Sequence, residues 1–437
     1  MKQAARLQTS IEILDNVFKA RIPMDRVMGD FIRGRRYIGS GDRAAIAEYC
    51  YNIMRHYARL TWMAEKLRNK NSARDLCLIY LVLYEELDTE KISAIFNGDK
   101  YAPIKLNNAE EKTVRHLSQK AKDYISQMPE DVKVECPPDF YPSLKNLFGK
   151  DFINEMRAML EPATLDLRVN IARKSRDEVM KSLANQGVAC DPTPYSPWGL
   201  RCRRKVHLAK TRAFRKGEIE IQDEGSQLIA LLTAACPGEQ ILDYCAGGGG
   251  KTLAIASSMA GKGRLVATDI DGQRLQKTRP RLKRAGLHDN VEVRPLDEKR
   301  HHNWLKRQKG NFDCVLVDAP CSGTGTWRRN PDARWFRHGP PVSELISMQA
   351  GILDKAADIP KPGGRLVYAT CSLLSQENEN QIKAFLERHP NYEVLSLEAA
   401  WPENQKCPDI FESQKFLMTS PYRHNTDGFF AAVLKRN

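Results

Sequence analysis

The sequence predicts a multidomain chain in three parts: an all-α N-terminal domain, a small α/β module, then a doubly wound α/β domain. Three observations carry this. The first 97 or so residues place apolar side chains at helical spacing. The stretch Leu165-Asp-Leu-Arg-Val-Asn-Ile171 alternates with period two. From Gly217 onward, short apolar runs that end in an acid alternate with helical segments, the pattern of a parallel sheet with crossover helices. The expected divisions are 1–130, 131–216 and 217–437.

In order along the chain, Ile11, Leu14, Val17 and Phe18 share one helix face, and Val27, Phe31 and Ile32 share another. Ser40-Gly41-Asp42 opens a helix carrying Ile46, Tyr49, Cys50 and Ile53, and Asp75 caps the apolar run Leu76–Tyr84. That run is about half the length a membrane span needs, so it is expected to be a buried helix. Two amphipathic helices, Ala109–Ile125 and Pro142–Leu160, connect onward through a proline-punctuated stretch. The alternating strand at 165–171 is expected to be half-buried. It is followed by a helix over Asp177–Gln186 stopped at Gly187. Strands are expected at Gln240–Leu242, Arg264–Thr268, Val291–Arg294, Phe312–Val317 and Arg365–Thr370. A last one, within Gly428–Leu434, can return antiparallel.

The 437 residues carry a net charge of +14, which favours a polyanionic partner. Arg201–Lys216 holds eight Lys or Arg and no acid, an unbalanced run read as a nucleic-acid backbone contact rather than a merely solvated face. Eleven scattered cysteines without a Cys-x-x-Cys pair argue against a disulfide framework and a zinc site, and for a reducing cytoplasm. No apolar segment follows the first residues as a signal peptide would require.

Chemistry concentrates at predicted strand ends, where ligands of open α/β sheets bind. Asp243-Tyr-Cys-Ala-Gly-Gly-Gly-Gly-Lys-Thr252 follows one strand and opens a helix. Its glycines let a ligand approach the backbone, and the helix start presents N–H groups. Gly250-Lys251-Thr252 resembles the tail of a phosphate-binding loop, but that motif needs glycine where Cys245 stands. The competing ligand is a nucleoside cofactor. Asp269, 26 residues past Asp243, is placed to accept ribose hydroxyls, unless it serves as a helix N-cap. Asp318 ends the Phe312 strand, and Cys321 follows within Pro320-Cys321-Ser322-Gly323. Cys371 ends the Arg365 strand in Thr370-Cys371-Ser372. Free cysteines are usually buried and inert, and the other nine take that reading. Two thiols at two strand tips near Lys251 are candidates for a reactive thiolate.

Asp318-Ala-Pro-Cys-Ser-Gly-Thr-Gly with Arg328-Arg329-Asn330-Pro331-Asp332 resembles the signature of RNA cytosine-5 methyltransferases of the RsmB/Sun/nucleolar-protein family. Tyr368-Ala-Thr-Cys-Ser-Leu-Leu-Ser-Gln-Glu-Asn-Glu379 is similar to that family's second cysteine motif. The cofactor loop matches at Cys245-Ala246, Gly249-Gly250 and Lys251-Thr252 and departs at Gly248, where most members carry proline. The resemblance covers about residues 165–434. More loosely, the N-terminal helices resemble the NusB-like RNA-binding domain of the bacterial rRNA enzymes.

The resemblance implies a Rossmann-like methyltransferase domain that transfers a methyl group from S-adenosylmethionine to carbon 5 of a cytosine in RNA. Ribosomal RNA is favoured over tRNA. Cys371 matches the nucleophile that adds to carbon 6, and Cys321 the cysteine that assists product release. Asp318 and Lys251 would sit at the base edge, with Asp318 also lining the cofactor site. Cys245, Ala246, Gly247, Gly248, Gly249, Gly250 and Lys251 would hold the methionine end, Asp269 the ribose and Asp297 the adenine. The opposite cysteine assignment stays open, because DNA cytosine-5 methyltransferases attack with the cysteine of a Pro-Cys pair, as in Pro320-Cys321. The rival class is a non-catalytic RNA-binding assembly protein. A cytoplasmic monomer without metal is expected.

Overall fold

The structure is a computed structural model that describes residues 1–20, 22–296 and 299–437. Asp297 therefore lies outside the described residues. The chain forms two compact units: Met1–Pro162 with Trp327–Pro340, and Ala163–Thr326 with Pro341–Asn437. This grouping differs from the contiguous divisions at 130 and 216. The small sheet joins the large one in a single unit, and a stretch well inside the large domain's sequence belongs to the helical unit.

The first unit is built of helices, the longest being Gln3–Ala20, Ser40–Arg55, Ala73–Leu83 and Asn108–Gln127. Ile11, Leu14 and Val17 face the core as their spacing requires. The start of helix Ala73–Leu83 differs in detail from the expectation. Ser72 is the cap, and Asp75 returns the bond from the third helical position in a capping box. Asp42 does not cap its helix; it pairs with Arg6 and the N-terminal ammonium at 2.8 and 3.0 Å. The expected helix over 142–160 is interrupted at Gly149 (φ 51°), giving Tyr141–Phe148 and Phe152–Ala158. Trp335 and Phe336 pack into this unit's core, and Asp332 accepts the Met24 N–H at 2.8 Å.

The second unit contains two sheets. Strands β1 (Leu165–Val169), β2 (Cys190–Pro192), β3 (Gly199–Cys202) and β4 (Ile219–Ile221) form an antiparallel sheet in the order β2-β3-β1-β4. Helix Arg176–Ala184 covers one face through Val179 and Leu183. The period-two pattern locates β1 correctly, but β1 is not half-buried: Asp166 and Arg168 are 1% and 2% exposed. Arg201 makes two hydrogen bonds to Asp166, at 2.7 and 2.8 Å, and a third to Glu224. Arg168 donates to Gln222 and, at 2.7 Å, to the carbonyl of Gly250. The polar face of β1 is thus satisfied by protein rather than water.

The basic run is divided by these bonds. Arg201 is committed to a buried network and Arg203 pairs with Asp191. Arg204, Lys205, Lys210, Arg212, Arg215 and Lys216 are exposed.

The large sheet comprises β5 (Gln240–Asp243), β6 (Arg264–Asp269), β7 (Val291–Pro295), β8 (Phe312–Asp318), β9 (Pro360–Thr370), β10 (Tyr392–Val394), β11 (Leu417–Thr419) and β12 (Phe429–Arg436). Their order is β10-β12-β9-β8-β5-β6-β7, with β11 on β12. Strands β5 to β9 are parallel. β12 inserts beside β9 antiparallel, as the terminal apolar run allowed. The near-continuous apolar strands are buried on both faces, as a doubly wound sheet demands. The strand order reverses between β5 and β8, which opens a crevice at their carboxyl ends.

Candidate active site

The carboxyl ends of β5, β6, β8 and β9 bring most of the expected residues together. The loop after β5 turns through Gly247 and Gly249, both at positive φ, into helix Gly250–Ser258. Gly249 is required twice over: φ is 77°, and a Cβ there would stand 2.3 Å from Thr278. Two arginines brace the loop carbonyls. Arg168 holds Gly250, and Arg281 holds Gly248 while pairing with Glu220 of β4. Asp269 accepts the Gly247 N–H at 2.7 Å through one oxygen and the Asp271 N–H at 2.8 Å through the other. Asp271, rather than Asp269, caps the next helix. The Arg274 guanidinium lies against Gly247.

Lys251 Nζ donates to Asp318 Oδ2 at 2.6 Å across the switch point. Burial works against the Lys251 charge. Asp318 more than offsets it by charge and hydrogen bond, so the ammonium is held above its usual range. The Thr252 hydroxyl turns inward to Asp243 at 2.6 Å. A phosphate loop would spend its lysine on phosphate and its hydroxyl on a metal ion; here both serve carboxylates of neighbouring strands, which disfavours that reading.

Asp243 offers a direct test of fit for a nucleoside cofactor with an amino-acid end. Its carboxylate is fully buried, and Oδ1 has no hydrogen-bond partner among the described residues. A buried, unsatisfied carboxylate oxygen beside a glycine loop suits an ammonium group. Burial pushes this carboxyl up to about 7. The consequence has a definite sign. Below about pH 4 both folded and unfolded chains are protonated here. Between about pH 4 and about pH 7 the unfolded chain ionises first, and folded stability falls. Asp243→Asn, without cofactor, should therefore raise the melting temperature at pH 8 and leave it unchanged near pH 4. An equal shift at both values would exclude the titration.

The two thiols meet. Cys321 Sγ and Cys371 Sγ lie 3.4 Å apart, both partly exposed. The hydrogen bond to Cys371, then burial, push the Cys321 thiol well above its ordinary range, and either sulfur can be the donor of the bond between them. Cys245, in the glycine loop, is also pushed well up, by burial and by the surrounding carboxylates, and stays a neutral thiol. Backbone bonds lock the cysteine loops together: Gly325 N–H to Cys371 O at 3.0 Å, and Gly428 N–H to Gly325 O at 2.8 Å.

Sequence reasoning missed four contributors. Arg168 and Arg281 carried no local signal. Arg274 follows Asp269 by five residues and could have been suspected from that position. Glu377 lay inside a recognised motif without a role. Its carboxylate is fully buried and accepts bonds from both cysteine loops.

A doubly wound sheet with the antiparallel strand β12 inserted beside β9, a glycine loop suited to an amino-acid ammonium and paired thiols define the class of S-adenosylmethionine-dependent methyltransferases. The family 16S rRNA methyltransferase RsmB/F matches residues 230–435, and its ferredoxin-like domain matches residues 137–209. Ribosomal RNA small subunit methyltransferase B of Salmonella newport (strain SL254) is 31% identical over 408 residues, covering 91% of each chain. A methyltransferase homologue from Pyrococcus horikoshii is 28% identical, with a TM-score of 0.58 over 70% of this chain and 97% of that one. The crystal structure of PH0851 shares the fold over 100% of this chain and 99% of that one, with a TM-score of 0.74 at 24% identity. The chain belongs to the RsmB/F family of 16S rRNA methyltransferases, and its cofactor is S-adenosylmethionine. Among the described residues, no helix is long and apolar enough to cross a membrane.

Proposed function

We propose that this chain methylates carbon 5 of a cytosine in small-subunit ribosomal RNA through a covalent adduct between Cys371 and carbon 6. The observation that supports it best is the thiol pair 3.4 Å apart at the tips of two neighbouring strands, in the same unit as the Lys251–Asp318 pair. Carbon 5 of cytosine is a weak nucleophile. A thiolate adding to carbon 6 moves an electron pair towards carbon 5 and makes it reactive. Asp318, steadied by Lys251, holds the ring nitrogen and amino edge and supports protonation there. S-adenosylmethionine, when bound, supplies an electrophilic methyl group. Asp243 and the loop 245–251 hold its methionine end, Asp269 its ribose, and Asp297 its adenine.

Product release uses the second thiol. Once Cys371 is bonded to carbon, the main influence holding the Cys321 proton is removed, and that proton passes to solvent. Cys321 then takes the proton from carbon 5. The electron pair left behind restores the ring double bond as the carbon–sulfur bond breaks, and Cys371 leaves as thiolate. The cycle ends with the proton on Cys321 again. The target base must stand clear of its stack to reach the thiols.

Bisulfite sequencing of ribosomal RNA from a strain lacking the gene tests the reading: one or more protected cytosines of the small-subunit RNA should become convertible. An unchanged pattern would refute it. Asp269→Ala should weaken S-adenosylmethionine binding by roughly 1.5–3 kcal/mol, since a charge-assisted site is lost and Gly247 loses its anchor. Unchanged affinity by calorimetry would remove Asp269 from the site.

Neutralising Arg204, Lys205 and Lys210 should lower RNA affinity. It should also reduce the slope of log K against log salt by about 0.7–0.9 for each phosphate no longer neutralised. A full slope would make the segment a solvated face.

A further inference from the structure

Glu377 is a fully buried carboxylate on which four neutral donors converge. One oxygen, Oε1, accepts the Ser322 N–H and the Gln349 side-chain amide, each at 2.9 Å. The other, Oε2, accepts the hydroxyls of Ser322 and Ser372. Ser322 follows Cys321 and Ser372 follows Cys371, so a single carboxylate grips the residue next to each thiol. Gln349 also donates to the Pro320 carbonyl at 2.9 Å, which fixes the residue before Cys321. Tyr368 of β9 donates to the Glu377 carbonyl at 2.6 Å and anchors the hub to the sheet. A buried carboxylate is costly unless its lone pairs are filled, and here the two cysteine loops fill them.

We propose that Glu377 is a positioning residue that sets the Cys321–Cys371 separation, and through it the rate of product release. The proposal rests on the cysteine roles given above. The Glu377 charge also acts on Cys321 in the direction that keeps the proton on that sulfur. Without the clamp, the 320–326 loop and the turn after β9 would keep their shared backbone bond at Gly325 but lose the shared side-chain anchor. Proton removal from carbon 5 depends on Cys321 meeting the adduct at close range, so it should suffer more than the first attack by Cys371.

Two variants of the full chain test it. Glu377→Ala removes the clamp. Glu377→Gln keeps its shape: the amide oxygen can still accept from Ser322 N–H and Gln349, and the serine hydroxyls can turn to accept from the amide nitrogen. The first readout does not involve the reaction. Hydrogen peroxide oxidises the two thiols to a disulfide, forming two waters, and peptide mass spectrometry follows closure. Glu377→Ala should close the Cys321–Cys371 bond more slowly by on the order of 10-fold, with Glu377→Gln between it and the parent. The second readout is turnover on small-subunit RNA. kcat should fall with KM for S-adenosylmethionine held, and a denaturing gel should show more protein–RNA adduct than the parent. Closure at the parent rate in both variants overturns the proposal whatever the cysteines do. Slowed closure with no adduct in these variants or in Cys321→Ala keeps Glu377 as the spacer and overturns the cysteine roles instead. Should Glu377→Ala fail to fold, Glu377→Gln decides by the same two readouts.

Discussion

Cys321→Ala is expected to accumulate as a protein–RNA adduct that survives denaturing electrophoresis, whereas Cys371→Ala should form none and transfer no methyl group. The difference follows from the order in which the thiols act on the proposed covalent route, and their roles are those of that proposal. Cys371 supplies the electron pair for carbon 6, and alanine has nothing to supply, so activity should fall by on the order of 10⁴-fold or more while RNA binding persists. Cys321 acts only after the methyl group is in place. Its loss should allow one turnover and then stop the enzyme with the thioether intact. The direction of the Cys321 shift is consistent with this order, since its hydrogen bond to Cys371 at 3.4 Å and its burial both push that thiol up. If the adduct comes from Cys371→Ala and not from Cys321→Ala, the roles are reversed, and Pro320-Cys321 attacks as in the DNA enzymes.

Gly325→Ala should disable the enzyme without removing any chemical group. A Cβ on Gly325 would stand 2.0 Å from the Gly428 carbonyl oxygen and 2.6 Å from its carbon. Both are backbone at the start of β12, so no side chain can move aside. Gly325 meanwhile bonds Cys371 O and Gly428 N–H, which ties the loop after β8 to the ends of β9 and β12. The methyl group must force these three segments apart, at a cost of about 3 kcal/mol or more. Thermal melting should drop by several degrees and methyl transfer should be lost with it. A variant that melts and methylates like its parent would show that this close approach does not set the cysteine geometry.

The strand tips were legible because a buried parallel strand announces itself twice, by an unbroken apolar run and by the polar residue at which it stops. That logic found Asp243, Asp269, Asp318 and Cys371 in sequence, and the sheet order places all four on one edge. The distribution of charge was not legible in the same way. Arg168 alternates with apolar neighbours as a solvent-facing residue would, yet it is buried, because the glycine loop at Gly250 and Gln222 after β4 lie against it. Arg201 opens a run with no nearby acid, but its partners, Asp166 and Glu224, come from 35 and 23 residues away. Glu377 could not be read as a hub, since the loop it grips around Ser322 lies 55 residues off and reaches it only through the pairing of β8 with β9. The stretch 327–340 follows the Cys321 loop in sequence, and only the packing of Trp335 and Phe336 assigns it to the helical unit. Local pattern reports which groups end a strand. It does not report which distant group will neutralise them.

Everything proposed for the two thiols depends on which atom receives the methyl group. Purified protein, unmodified small-subunit ribosomal RNA and S-adenosylmethionine with a labelled methyl group, followed by digestion to nucleosides and mass spectrometry, read that atom directly. Label is expected in 5-methylcytidine, none of it formed by Cys371→Ala. Label in N4-methylcytidine or on a ribose hydroxyl would contradict the covalent route, because neither product needs a thiolate at carbon 6.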